Sequence, residues 1–161
     1  MSKSPIGIAV DHGGFRLKQF VIGGVQEAGL RVLDLGTFSE EPVDYPDLAE
    51  NLVAAIIGGK VQQGILVCGT GIGVAIAANR HRSIRAALCY DKETAELARQ
   101  HNNANVLCLG GRKTNGHLAK EMVGIFLQTK FQGGRHTRRI KKLDRSFDCT
   151  MPVEELYDKD D

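Results

Sequence analysis

The chain has 161 residues and a mass of 17.5 kDa, with 42% hydrophobic and 25% charged side chains, which suits one globular domain and excludes a disordered or collagenous chain. Its 21 Lys and Arg against 19 Asp and Glu leave a net charge of +2, no basis for a polyanion binder, and no apolar run approaches the roughly 18 residues of a membrane span. Four widely spaced cysteines (Cys68, Cys89, Cys108, Cys149) make neither a disulfide scaffold nor a CxxC pair, and MSKSPIGIAVDHGG carries no export signal, so the expected location is cytoplasmic.

Short apolar runs alternate with amphipathic stretches throughout. Ile6–Val10 reads as a buried strand that stops at Asp11-His12-Gly13-Gly14. Leu17, Phe20, Val21, Gly24, Val25 and Ala28 then follow a helical period, which Gly29 closes. Residues 31–35 form a second strand. Pro46 suits the first turn of a helix with Leu48, Leu52, Ala55 and Ile56 inward, closed by Gly58-Gly59. Residues 64–67 are a third strand running into CGTGIG, and an Ala-rich helix covers roughly 74–79. Residues 85–89 are a fourth strand, after which Asp91 is a good N-cap for a helix carrying Ala95, Leu97 and Ala98. Residues 105–109 are a fifth strand ending at Gly110-Gly111. Thr114 is the expected cap of a helix with Leu118, Met122, Ile125 and Phe126 inward; Gly133-Gly134 breaks it, and a last helix begins near Arg135.

Five strands, each followed by a helix, describe an α/β fold: one doubly wound domain whose parallel sheet has helices on both faces, over residues 1–147. A (β/α)₈ barrel needs about 200 or more residues. Residues 135–147 carry six basic and one acidic side chain, and residues 148–161 carry one basic and six acidic. The second of these segments reads as a flexible acidic tail.

Ligands of doubly wound folds bind outside the carboxyl ends of the strands. That places interest on Asp11-His12, the loop after Leu35, Cys68–Gly73, Tyr90-Asp91 and Gly110–Arg112. In Cys68-Gly69-Thr70-Gly71-Ile72-Gly73 three glycines let N–H groups converge at a helix start, a nest for negative charge. The loop is neither a dinucleotide fingerprint nor a phosphate-binding Gly-Lys-Ser/Thr loop. A thiol at its entrance is favoured as thiolate, although a buried inert cysteine has the same local pattern. Asp11 fits a helix cap as well as a site, and His101, ending a helix, fits a dipole partner as well as a catalyst. Arg112, Arg135 and Arg139 are candidate phosphate clamps, the last two sharing a helix face. Cys89 and Cys108 read as core, and His81 and His117 carry no signal.

DHGGF, DYPD, CGTGIG, RQHNNANVLCLGGR and GGRHTRRI, in this order and spacing over about residues 5–143, resemble the type B ribose-5-phosphate isomerases, within the group that includes the galactose-6-phosphate isomerase subunits. The resemblance implies a Rossmann-like fold and an aldose–ketose isomerase of the pentose phosphate pathway. It also implies a homodimer with active sites shared between subunits, a sugar-phosphate substrate, and no metal, cofactor or nucleic acid. Cys68 matches the base and His101 the ring-opening group, with Thr70 and Asp11 assisting. The family's acid alternative to the cysteine has no counterpart here, since residues 74–77 are apolar. Substrate contacts match Asp11, His12, Tyr45, Gly69, Thr70, Gly71, Ile72, Gly73, Asn102, Arg112, Arg135 and Arg139, and His136 is a further candidate for the phosphate. The competing readings are a six-carbon isomerase (allose or galactose 6-phosphate) and a non-catalytic nucleotide- or RNA-binding module.

Overall fold

The computed structural model describes residues 4–144; the 148–161 tail, the boundary at 147 and Cys149 lie outside them. Five parallel strands form one sheet: β1 (Ile6–Val10), β2 (Val32–Asp34), β3 (Gly64–Cys68), β4 (Ala86–Leu88) and β5 (Val106–Gly110), in the spatial order β2-β1-β3-β5-β4. The helices are α1 (Lys18–Glu27), α2 (Tyr45–Ile57), α3 (Ile72–Ala78), α4 (Lys92–Gln100), α5 (Gly116–Gln128) and α6 (Arg135–Leu143), with a 3₁₀ turn at Phe15–Leu17 before α1. The architecture is α/β with a C-terminal helix, as expected.

The three central strands are buried at every residue, which is why they read as unbroken apolar runs. Successive side chains face opposite ways. Ile8, Val10, Ile65, Val67, Leu107 and Leu109 meet α1, α4 and α5, while Ala9, Leu66, Cys68, Val106 and Cys108 meet α2 and α3. Cys68 therefore ends the central strand on the α2–α3 side.

Most predicted ends hold. Asp91 caps α4 in a reciprocal box with Thr94, Pro46 lies in the first turn of α2, and Gly29 and Gly59 take positive φ beyond α1 and α2. Three details differ. Asn115, not Thr114, caps α5 by accepting the Leu118 N–H at 2.9 Å; Thr114 is buried one residue earlier. That helix also stops at Gln128, where Thr129 turns extended, and Gly133 and Gly134 introduce α6 with φ of 68° and 56°. Finally, α3 begins at Ile72, two residues earlier than predicted, directly behind the glycine loop.

Candidate active site

Neighbouring strands deliver one cluster. The pairings Val10↔Val67 and Cys68↔Gly110 set the ends of β1, β3 and β5 side by side. Backbone hydrogen bonds then join the loops: Asp11 N–H to Val67 O (2.9 Å), Gly111 N–H to Cys68 O (2.8 Å) and Arg112 N–H to Gly69 O (2.9 Å). Gly111 sits so close to Gly13 that a Cβ there would stand 2.4 Å from the Gly13 carbonyl oxygen.

Gly71, with φ of 80°, turns its N–H onto the Cys68 sulfur at 3.2 Å. The other two cysteines of the described residues are held as thiols: burial pushes Cys89 up to about 11 and raises Cys108 well above the ordinary thiol value. Thr70 accepts the Ile72 N–H at its hydroxyl (3.3 Å) and the Tyr90 hydroxyl proton at its carbonyl (3.3 Å). The Arg112 guanidinium lies over Gly69, 3.3 Å from where a Cβ would stand, and the Tyr45 ring covers Gly73. Buried Asp11 accepts the Gly14 N–H at 3.0 Å, which closes the turn before the 3₁₀ segment; neither that segment nor α1 carries a side-chain cap, so Asp11 is not the helix cap its position suggested. His12 accepts the Val43 N–H at Nδ1 (3.2 Å) and lines a cavity of about 340 Å³ with Gly13, Arg16, Glu40, Gly111 and Arg112.

The remaining predicted residues form a second cluster. His101 ends α4 just before β5, at the amino end of the sheet. From Val106 to Gly110 the strand alone rises roughly 13 Å, so His101 and Asn102 stand at the opposite end from Cys68. One chain does not bring His101 to Asp11. Arg135 and Arg139 are exposed on α6, whose buried His136 stacks on His101 with ring centroids 4.3 Å apart and planes at 9°. Burial holds the His136 imidazole below its ordinary value, and His101, Arg135 and Arg139 push it the same way. The field around it is positive, as an anion site requires.

The turn carrying His101 and Asn102 is braced. Arg99 donates to Asn103 Oδ1 (2.9 Å) and to the Ala104 carbonyl, and Arg85 Nε donates to the Asn103 carbonyl (3.1 Å). Asn103 holds φ of 45°, a conformation asparagine tolerates. Arg85 also pairs with Asp144 at the end of α6 (3.2 Å), beside a cleft of about 400 Å³ that Asn102, Arg80 and Leu143 help to line. Arg85 and Arg99 were not among the predicted site residues, and Tyr90 was marked only as a strand-end position; the positive φ that Arg85 and Arg99 support leaves only a faint trace in sequence, the repeated Asn102-Asn103. His81 pairs with Glu50 at 2.7 Å and lines the same cleft as Asn102. Among the described residues no group of three or more His, Cys, Asp or Glu gathers to hold a metal, and no helix is long and apolar enough to cross a membrane.

The profile of the Ribose/Galactose Isomerase family matches residues 6–143. Ribose-5-phosphate isomerase B of Escherichia coli is 44% identical over 138 residues, 86% of this chain and 93% of that protein. The crystal structure of a ribose 5-phosphate isomerase from Thermotoga maritima superposes with a TM-score of 0.84 at 52% identity, covering 88% of this chain and 97% of that one. D-erythrulose-4-phosphate isomerase of Pectobacterium atrosepticum is 43% identical over 140 residues, 86% of this chain and 91% of that protein.

Proposed function

The chain belongs to the ribose/galactose isomerase family, and we propose that it interconverts D-ribose 5-phosphate and D-ribulose 5-phosphate at sites built from two copies. Its relatives make it an aldose–ketose isomerase of sugar phosphates. The observation that carries the finer reading is the Cys68 sulfur under the Gly71 N–H, beside Arg112, at the joined ends of β1, β3 and β5.

The reaction moves one proton from C2 to C1 through an enediolate. Cys68 as thiolate removes the C2 proton and returns it to C1. The N–H groups of the glycine loop other than those of Gly71 and Ile72, with the Thr70 hydroxyl, hold the enediolate oxygens, each donor contributing about 3–4 kcal/mol in comparable oxyanion sites. The furanose must open first: a proton leaves the anomeric hydroxyl and another reaches the ring oxygen. His101 is assigned to that step, with Asp11 across the site, because an imidazole serves as acid or base near neutrality. Arg112, with Arg135 and Arg139, fixes the phosphate and so orients the reacting carbons.

Because Cys68 and His101 stand at opposite ends of one sheet, the second cluster comes from another copy. The surface supports a homodimer. On α3, directly behind the Cys68 loop, Ile72 and Ile76 are 47% and 61% exposed on one face, and Leu143, beside Asn102, is 66% exposed. Such apolar side chains beside a half-built site suit a partner of the same kind.

Cys68→Ala tests the reading: it leaves ribose 5-phosphate binding within a few fold and abolishes both isomerisation and exchange of the C2 proton with deuterated water. Normal exchange in that variant would refute Cys68 as base. A relative acting on a four-carbon phosphate shows that identity near 43% does not fix chain length. Four-, five- and six-carbon phosphates assayed side by side should therefore give the highest kcat/KM with ribose 5-phosphate, ahead of allose and galactose 6-phosphates.

A further inference from the structure

The mechanism leaves one buried charge without a task. Lys18, at the start of α1, is 4% exposed, and its Nζ lies 2.7 Å from Asp34 Oδ2 at the end of β2. It donates to the Thr37 carbonyl and stands 4.4 Å from the Phe38 ring centre. Burying an ammonium costs several kcal/mol unless it is well paired, and an apolar side chain would pack α1 at least as well. The pair is thus better explained by what it holds than by stability.

What it holds is the loop of residues 35–44. Asp34 Oδ1 accepts the Gly36 N–H (3.1 Å), and Thr37 N–H donates to the Val10 carbonyl (2.6 Å), so the loop starts against the end of β1. Arg16 meets Glu40 at 3.5 Å along its outer edge. Its far end supplies the Val43 N–H to His12 Nδ1. An imidazole that accepts at Nδ1 carries its proton on Nε2, so this one backbone donor sets both the tautomer and the ring plane.

We propose that Lys18 is a positioning residue for His12: its ammonium ties the 35–44 loop to α1, and the loop presents the Val43 N–H that holds His12 as a donor through Nε2 toward the Arg112 cavity. The structural half stands on hydrogen bonds alone. The kinetic half rests on the isomerase reading above, in which His12 contacts the sugar phosphate.

The test is the double variant Lys18→Met/Asp34→Asn in the full chain, which removes both charges together while the Asn carbonyl can still accept from Gly36. Amide hydrogen exchange is followed at Val43 and across the sheet, with KM and kcat for ribose 5-phosphate. Val43 exchange should rise about tenfold or more while the amides of β3 keep their protection. KM should rise about tenfold with kcat within about threefold, the pattern of lost uniform binding. On a His12→Ala background the double change should add nothing to KM. Val43 exchange within about twofold of the parent would overturn the proposal, as would an equal KM increase without His12. Should the double variant fail to fold, Lys18→Gln carries the same two readouts. If the parent does not turn over ribose 5-phosphate, that defeats the ribose 5-phosphate reading, and Val43 exchange still decides the role of Lys18.

Discussion

Replacing Gly71 by alanine separates the glycine loop's catalytic part from its structural part. At φ of 80° a non-glycine residue is strained by about 1–2 kcal/mol. The new Cβ would also lie 2.5 Å from Leu88 Cδ1 and 2.8 Å from the Leu109 carbonyl carbon. Leu88 can rotate, but Leu109 is backbone of a central strand, so overpacking adds about 1–3 kcal/mol. The total of about 2–5 kcal/mol lowers Tm by about 4–20 °C in a domain this size and leaves most of the protein folded at 25 °C. Relief of the clash swings the Gly71 N–H off the Cys68 sulfur. A hydrogen bond to a charged group contributes about 1.5–3 kcal/mol, so kcat falls roughly 10- to 150-fold. Gly69→Ala is the control: its φ is not positive, and the nearest atoms to its Cβ would be those of the Arg112 guanidinium, from 3.3 Å. It should cost under about 1 kcal/mol and act on KM through the displaced arginine. Denaturant unfolding and steady-state kinetics on the two variants decide the matter. A Gly71→Ala chain as stable as the parent and with unchanged kcat would refute the reasoning.

His101→Asn should slow ribose 5-phosphate turnover by on the order of 10²–10⁴, the usual loss for an acid–base group, yet slow an open-chain tetrose phosphate far less. Equal losses on both substrates, compared as kcat/KM, would move His101 to the enediolate step or to binding. His136 makes the folded state bind fewer protons than the unfolded one, because burial and the neighbouring His101, Arg135 and Arg139 hold its pKa down. Its contribution is complete above the unfolded value of about 6.5 and is lost as pH falls from there through the folded value. Thermal unfolding of the parent should drop more steeply below pH 6.5 than that of His136→Gln, and parallel profiles would remove His136 as the cause.

Much of the fold is legible because its signals are local. Asp91 sits three residues before Thr94 and caps as such a residue should, and the buried runs of β1, β3 and β5 need no partner to be recognised. Thr114 and Asn115 are both good caps by type; burial of Thr114 decides between them, and burial is a tertiary fact. The end of α5 was obscured because Gly133-Gly134 looks like a terminator, whereas it starts α6 after an intervening extended link.

The site divides in the same way. Asp11, Cys68 and Arg112 are visible as strand-end residues, and the doubly wound pattern already gathers them. The proposed grouping of His101 with them is not derivable from strand order within one chain, since the chain sets it at the other end of β5. Lys18 did leave a signal: it precedes the buried Val21 and Val25 by three and seven residues, which places a charge on the buried stripe of α1.

The most direct test of a site made by two copies is subunit complementation. Cys68→Ala and Arg135→Ala chains, each inactive alone, are mixed and allowed to exchange. Half of the resulting dimers are heterodimers, and each has one site carrying neither lesion. About a quarter of the parent activity should therefore return. No recovery after exchange has been verified by mass would contradict the account, because it would mean that every site is built from a single chain.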